Sequence, residues 1–287
     1  MRSRVARIDG LLDQVQTRRY GVRVKLLPSS LGSKPQSQVL TTFLIDGRVA
    51  VDGGSLGLAL DPAQMHAVRH VIVTHAHSDH TASLPIFVAE AFTSLDGPIT
   101  IYGIPEVVEV LREYIFNDRI WPNFERIALS NNSDYAVRFE VLEPRERVEI
   151  AGLSITPIPV NHTVPCSGLL VEEDGVSVLF TSDTYSTDEI WEAASASAFL
   201  KAIFVDVSYP AALEELARAS KHFTPRSLAA DLVKLRRQAE IYAVHIKPSN
   251  REQVIQELEE LFGRRVMVAE SGRMYEWLGD PPSQSVE

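Results

Sequence analysis

Thr74-His75-Ala76-His77-Ser78-Asp79-His80 decides how this chain is read. Four side chains able to ligate a metal, His75, His77, Asp79 and His80, fall within six residues. The β-branched run Val71-Ile72-Val73 precedes them and reads as a buried strand. The ligands therefore sit where a strand gives way to a loop, the place where α/β proteins carry their chemistry. Neutral imidazole binds zinc and iron well, and carboxylate completes such sites.

Working outward, the same grammar recurs: an apolar strand followed by an acidic or imidazole residue. Asp52 follows Val49 to Val51, His162 follows Ile155 to Val160, Asp183 follows Val178 to Phe180, and His245 follows Ile241 to Val244. Strand ends converge at one edge of a sheet, so these residues are expected to meet. The chain has eight histidines, and His66 and His70 are read as structural residues on a helix opened by Asp61-Pro62.

The pattern predicts strands at 41–45 and 49–51 around Asp46-Gly47, at 98–102, within 148–160, and as a hairpin over 168–180 around Glu173-Asp174-Gly175. Further strands are expected at 203–207, 241–244 and 265–269, the last closing the fold. Helices are expected at 105–114, from Thr224-Pro225 to about Arg237, and at 250–261, stopped by Gly263. The last of these is amphipathic, suited either to lie on a sheet or to support a homodimer. No composition break divides the chain. The expectation is one domain over residues 1–280, of α/β (α+β) class with two sheets sandwiched between helices, and a flexible tail at 281–287.

The 287 residues are 45% hydrophobic and 23% charged, an ordinary globular composition. A single cysteine, Cys166, excludes an intrachain disulfide framework and fits a reducing compartment. Residues 1–20 lack the apolar core of a signal peptide, and no run approaches the roughly 20 apolar residues of a membrane span. A cytoplasmic protein with no membrane partner is expected. The net charge of −10 argues against a long nucleic acid as partner, because such proteins present a basic face.

His75-Ala-His77-Ser-Asp79-His80, with His162, Asp183 and His245 in order downstream, resembles the metallo-β-lactamase superfamily. The resemblance implies an αββα sandwich with a dinuclear centre. One metal would be held by His75, His77 and His162, and the other by Asp79, His80 and His245. Asp183 would bridge them, and Asp52 would anchor a ligand from behind. Zinc is the expected metal, with iron or manganese as alternatives.

Finer motifs resemble the class II 3′,5′-cyclic-nucleotide phosphodiesterases of that superfamily. They are His222-Phe-Thr-Pro225, Val244-His245-Ile-Lys247-Pro248, Asp206-Val-Ser208 and the segment from Ile115 through Asn117 to Trp121-Pro122. Departures from that family's usual pattern stand at Ser78, Ala82, Lys221 and Asp206. The activity implied is opening of a cyclic phosphodiester (cAMP or cGMP) by a metal-bound hydroxide, with Asp79 in the catalytic centre. His222, oriented by Asp206, is read as the acid for the leaving alkoxide. Asn117, Trp121 and Lys247 are candidate substrate contacts, with Phe116 and Phe124 as possible stacking partners for a base. Alternatives are an RNA-directed hydrolase like ribonuclease Z and a non-hydrolytic di-iron redox or sensor protein.

Overall fold

The computed structural model describes residues 21–29, 38–131 and 133–279. The expected tail at 281–287 lies outside the described residues. Six strands begin the first sheet: β1 (Gly21–Leu26), β2 (Phe43–Ile45), β3 (Val49–Val51), β4 (His70–Ile72), β5 (Ile99–Gly103) and β6 (Val137–Val141). The second sheet contains β7 (Val148–Ile150), β8 (Leu153–Pro159), β9 (Ser167–Glu173), β10 (Val176–Phe180), β11 (Leu200–Asp206), β12 (Glu240–Val244) and β13 (Val266–Val268). The chain then returns to the first sheet with β14 (Met274–Leu278), so the strand orders are 14-1-2-3-4-5-6 and 13-12-11-10-9-8-7.

Helices α1 (Leu56–Ala59), α2 (Pro62–Ala67), α3 (Ser78–Thr81), α4 (Leu84–Phe92) and α5 (Pro105–Val110) belong to the first half. A single wide π-turn, Leu111–Ile115, extends α5. The second half carries α6 (Glu189–Ala196), α7 (Glu214–Ser220), α8 (Pro225–Asp231) and α9 (Arg251–Phe262).

Three apolar layers hold these elements. Between the sheets, Val24, Phe43, Val51, Leu169, Val178 and Phe204 pack as one cluster. Outside the first sheet, Leu84, Phe87 and Val107 of the helices cover Val71 and Ile101. Outside the second, Trp191, Leu228, Val254 and Leu258 cover Ile203 and Ile241. Sheets buried on both faces carry near-continuous apolar runs, and β10, Val-Ser-Val-Leu-Phe, is buried at every position. The layers are helix, sheet, sheet, helix, the αββα sandwich anticipated from the motifs.

Several boundaries differ from the pattern reading. The helix begun by Thr224-Pro225 stops as an α-helix at Asp231 and tightens into a 3₁₀ turn at Leu232–Lys234. Its Thr224 cap and Ser227 form a reciprocal capping box. His70 is not on the Asp61 helix. It begins β4, with Nδ1 3.1 Å from the Tyr102 hydroxyl. The strand at 266–268 does not close the fold, because β14 follows and pairs antiparallel with β1. Helix α9 lies on the second sheet through Val254 and Leu258.

Candidate metal centre

Parallel pairing sets the site. β3, β4 and β5 run the same way, as do β10, β11 and β12, and β8 runs with β10 because two antiparallel pairings separate them. The C-terminal ends of these strands deliver Asp52, His75, His162, Asp183, Asp206 and His245 to one rim. α3, starting at Ser78, adds Asp79 and His80 in its only turn.

Overlapping groups of side chains meet there. His75, His77, His162 and Asp183 each bring one ligand atom within 4.8 Å of the others, and so do Asp79, His80, Asp183 and His245. Asp183 belongs to both. Its Oδ2 lies 3.6 Å from His75 Nε2 and 3.3 Å from His245 Nε2, while Oδ1 lies 3.3 Å from His80 Nε2. His245 Nε2 also lies 3.0 Å from Asp79 Oδ2.

Behind the rim, the rings of His75, His80, His162 and His245 are held by their other nitrogen. His80 Nδ1 donates to Asp52 Oδ2 at 2.7 Å. His75 Nδ1 is 3.1 Å from Thr74 Oγ1, which itself contacts both Asp52 oxygens at 3.0 Å and accepts from Ser182 Oγ at 2.8 Å. His162 Nδ1 faces the Lys221 carbonyl at 3.3 Å. His245 Nδ1 lies 2.9 Å from Ser208 Oγ, which donates to Asp206 Oδ1 at 2.8 Å. Fixing one nitrogen fixes the tautomer and aims the other inward.

The inward nitrogens fit divalent cations. His75 Nε2 and His80 Nε2 are buried and make no hydrogen bond with the described residues. A buried polar atom left without a partner is costly, and a cation removes the cost. His162 Nε2 and His77 Nδ1 face each other at 3.1 Å. With His162 Nδ1 donating to a carbonyl, Nε2 presents a lone pair. Imidazole nitrogens with carboxylate oxygens form a donor set suited to zinc, iron or manganese.

Titration of the site follows its burial and charge. Burial drives the His75 pKa well below the usual imidazole value, helped by His80 beside it and opposed by Asp183. Burial likewise lowers His162 to about 4. At His80 and His245 burial pulls the same way, but Asp183 overcomes it at both, and Asp52 reinforces it at His80. His80 ends well above the usual value and His245 at about 9. Burial would raise Asp79, yet the hydrogen bond from His245 and the charges of His80, His245 and Lys247 hold it below the usual carboxylate range.

His222 lies beside this centre, outside those two groups, and forms a third of the same kind with Asp183, Asp206 and His245, their ligand atoms also within 4.8 Å of one another. Its Nδ1 is 2.7 Å from Asp206 Oδ2, and its ring stacks on His245 with centroids 5.2 Å apart. The Lys247 ammonium lies 3.4 Å from Asp79 Oδ2. Asn117 and Trp121 have no hydrogen bond to the cluster among the described residues. The Asn117 amide donates to the Glu113 carbonyl and accepts from the Arg119 and Ile120 backbone, closing an exposed turn. Trp121 packs against the first outer core, where Phe116 and Phe124 are buried. Those two rings are core packing and cannot stack on a base.

The hydroxyls of Thr74, Ser182 and Ser208 were not assigned roles by sequence reasoning. Their one signal is adjacency: each stands within two residues of His75, Asp183 or Asp206. Asp52, Ser182 and His245 adopt left-handed backbone, with φ of 63°, 55° and 61°. Such conformations gather at functional sites.

The model of the β-lactamase superfamily domain matches residues 41–246. A probable 3′,5′-cyclic-nucleotide phosphodiesterase of Yersinia pestis is 27% identical over 206 residues, covering 64% of this chain and 58% of that protein. A 3′,5′-cyclic-nucleotide phosphodiesterase of Schizosaccharomyces pombe is 27% identical over 197 residues, covering 62% of this chain and 54% of that one. The chain thus spans a little over half the length of these relatives. In three dimensions, unliganded yeast PDE1 superposes with a TM-score of 0.73 at 16% identity, covering 89% of this chain and 99% of that one. This last likeness speaks for the fold.

Proposed function

The chain belongs to the β-lactamase superfamily, and we propose that it is a metal-dependent phosphodiesterase opening the ring of a 3′,5′-cyclic nucleotide. One observation carries the reading: a buried His222–Asp206 pair stands against two ligand groups that share Asp183. That is a proton donor beside a site for two cations. The similarity to named cyclic-nucleotide phosphodiesterases supports the substrate class.

His75, His77, His162 and Asp183 would hold one divalent metal, and Asp79, His80, Asp183 and His245 the other. When bound, the two ions lower the pKa of water and offset charge on a phosphoryl group. Zinc is the metal we favour, given the histidine-rich donors. The remaining chemistry belongs to the chain. Asp206 Oδ2 accepts from His222 Nδ1 and so favours the imidazolium, in which the proton available for transfer is the one on His222 Nε2. That proton would pass to the ribose oxygen as its bond to phosphorus breaks. Asp206 also reaches His245 through Ser208, so one carboxylate orients both the acid and a metal ligand. Lys247, close to Asp79, adds positive charge for an anionic substrate. The lone cysteine, buried and unpaired, supports work in the reducing cytoplasm.

Two ester substrates test the role of His222. A ribose alkoxide is a poor leaving group and needs the proton, whereas p-nitrophenolate does not. His222→Ala in the metal-loaded enzyme is expected to lower kcat on cAMP or cGMP by about 10²–10⁴-fold. Its effect on bis-(p-nitrophenyl) phosphate should be far smaller, with metal content unchanged. Equal losses on both esters would remove His222 from this role. Cleavage of precursor tRNA in preference to cyclic nucleotides would favour the ribonuclease Z-like alternative, against which the net charge of −10 stands.

A further inference from the structure

One cleft opens beside the centre, with a volume of about 460 Å³, inside the usual range for small-molecule sites. Ile104 after β5, Pro144 after β6, and Val160 and Pro165 around the end of β8 form its apolar walls. His162, from the first ligand group, lines the same cleft. Its one lining residue charged at neutral pH is Glu106, exposed in the first turn of α5. Glu106 has no hydrogen bond or ion pair among the described residues. Phe116 and Phe124 are buried and offer a base no platform.

We propose that this cleft receives the nucleobase of the substrate and that the Glu106 carboxylate selects guanine. The inference rests on the phosphodiesterase reading and names the base. A phosphate at the metal centre would place the rest of the nucleotide against His162 and the cleft it lines. Aliphatic and proline walls suit a purine ring. A carboxylate only accepts hydrogen bonds, and its two oxygens match two parallel donors. The Watson–Crick edge of guanine offers N1–H and the 2-amino group side by side. Adenine offers one amino group beside a ring nitrogen lone pair, which the carboxylate repels. A bland role for Glu106 exists, since an acid in the first turn of a helix is favourable by itself. It predicts no dependence on the base.

Two readouts on the metal-loaded full chain test this. One is the ratio of kcat/KM for cGMP over cAMP. The other is equilibrium binding of GMP and AMP by calorimetry. Each is compared with Glu106→Gln, whose folding is checked by thermal melting. The expected result is preference for guanine in both readouts, reduced on the order of 10–100-fold by Glu106→Gln. Guanine-selective, Glu106-dependent binding of GMP without turnover of either cyclic nucleotide would uphold the base pocket and overturn the phosphodiesterase reading. Turnover of both nucleotides with a ratio untouched by Glu106→Gln, or with cAMP preferred, would overturn the guanine pocket alone. Neither binding nor turnover would overturn both.

Discussion

Asp52 Oδ2 lies 2.7 Å from His80 Nδ1, and both residues are about 1% exposed. The same carboxylate accepts from the Thr74 backbone N–H at 2.8 Å and contacts the Thr74 hydroxyl. Thr74 in turn supports His75. One buried charge therefore aims an imidazole in each ligand group.

Asp52→Asn keeps the shape and tolerates the left-handed φ of 63°. It removes the charge and puts a donor or a weaker acceptor against His80. Supports of this kind are worth about 10–100-fold in metal affinity. The variant should fold, yet hold metal that much more weakly in a chelator competition. Undiminished affinity would mean that Asp52 serves the hairpin alone.

The two ligand groups should fill differently with pH. In the metal-free protein, His162 titrates at about 4 and His75 well below the usual value, so both are already neutral at neutral pH. His245 titrates at about 9 and His80 lies high, so both still carry protons there. Ligation requires the neutral ring. Metal entering the His75, His77 and His162 group should release few protons. Metal entering the Asp79, His80 and His245 group should release protons and bind more tightly as pH rises toward 9. Calorimetric zinc titrations in buffers of different ionisation enthalpy would count them. Equal proton release at both steps would contradict the shifts.

Lys221 caps α7 in the left-handed region, with φ 61° and ψ 52°. A non-glycine residue there bears a conformational cost of roughly 1–2 kcal/mol, partly offset because glycine loosens the unfolded chain. Lys221→Gly should therefore stabilise the metal-free protein by about 0.5–1 kcal/mol in urea unfolding. The carbonyl facing His162 stays in place, so metal binding should persist.

Gly54 admits no side chain. A Cβ there would stand 2.1 Å from the Asp79 carbonyl oxygen and 2.7 Å from that of Thr41. Both obstacles are backbone, and one belongs to α3, which carries Asp79 and His80. Gly54→Ala should cost about 1–3 kcal/mol in unfolding free energy and lower metal content together with it. A stable variant with full metal would show that α3 can shift freely.

The ligand run was legible because His75, His77, Asp79 and His80 are adjacent in sequence and follow an unmistakable apolar strand. His162, Asp183 and His245 were legible through the same strand-end grammar. The hydroxyl links were not, because Thr74–Ser182 and Ser208–His245 depend on which strands lie side by side. His70 was misplaced because it is the polar first residue of β4, and nothing in its own type separates it from the helix just before it. Phe116 and Phe124 were ambiguous because an aromatic near a motif looks the same whether it faces a ligand or the core. β14 was missed because its partner, β1, comes from the far end of the described chain.

That last pairing bears on how the protein is made. Gly21 pairs with Leu278 and Val24 with Tyr275. During synthesis, β1 can pair with β2 early, but its other edge stays open until residues 274–278 leave the ribosome. Contacts so distant in sequence form slowly, and open strand edges invite association between chains. The strands and loop bearing Asp52 and His75 to His80 thus emerge long before the sheet around them is complete. A nascent chain stalled short of β14 would present a backbone edge to its neighbours on the polysome.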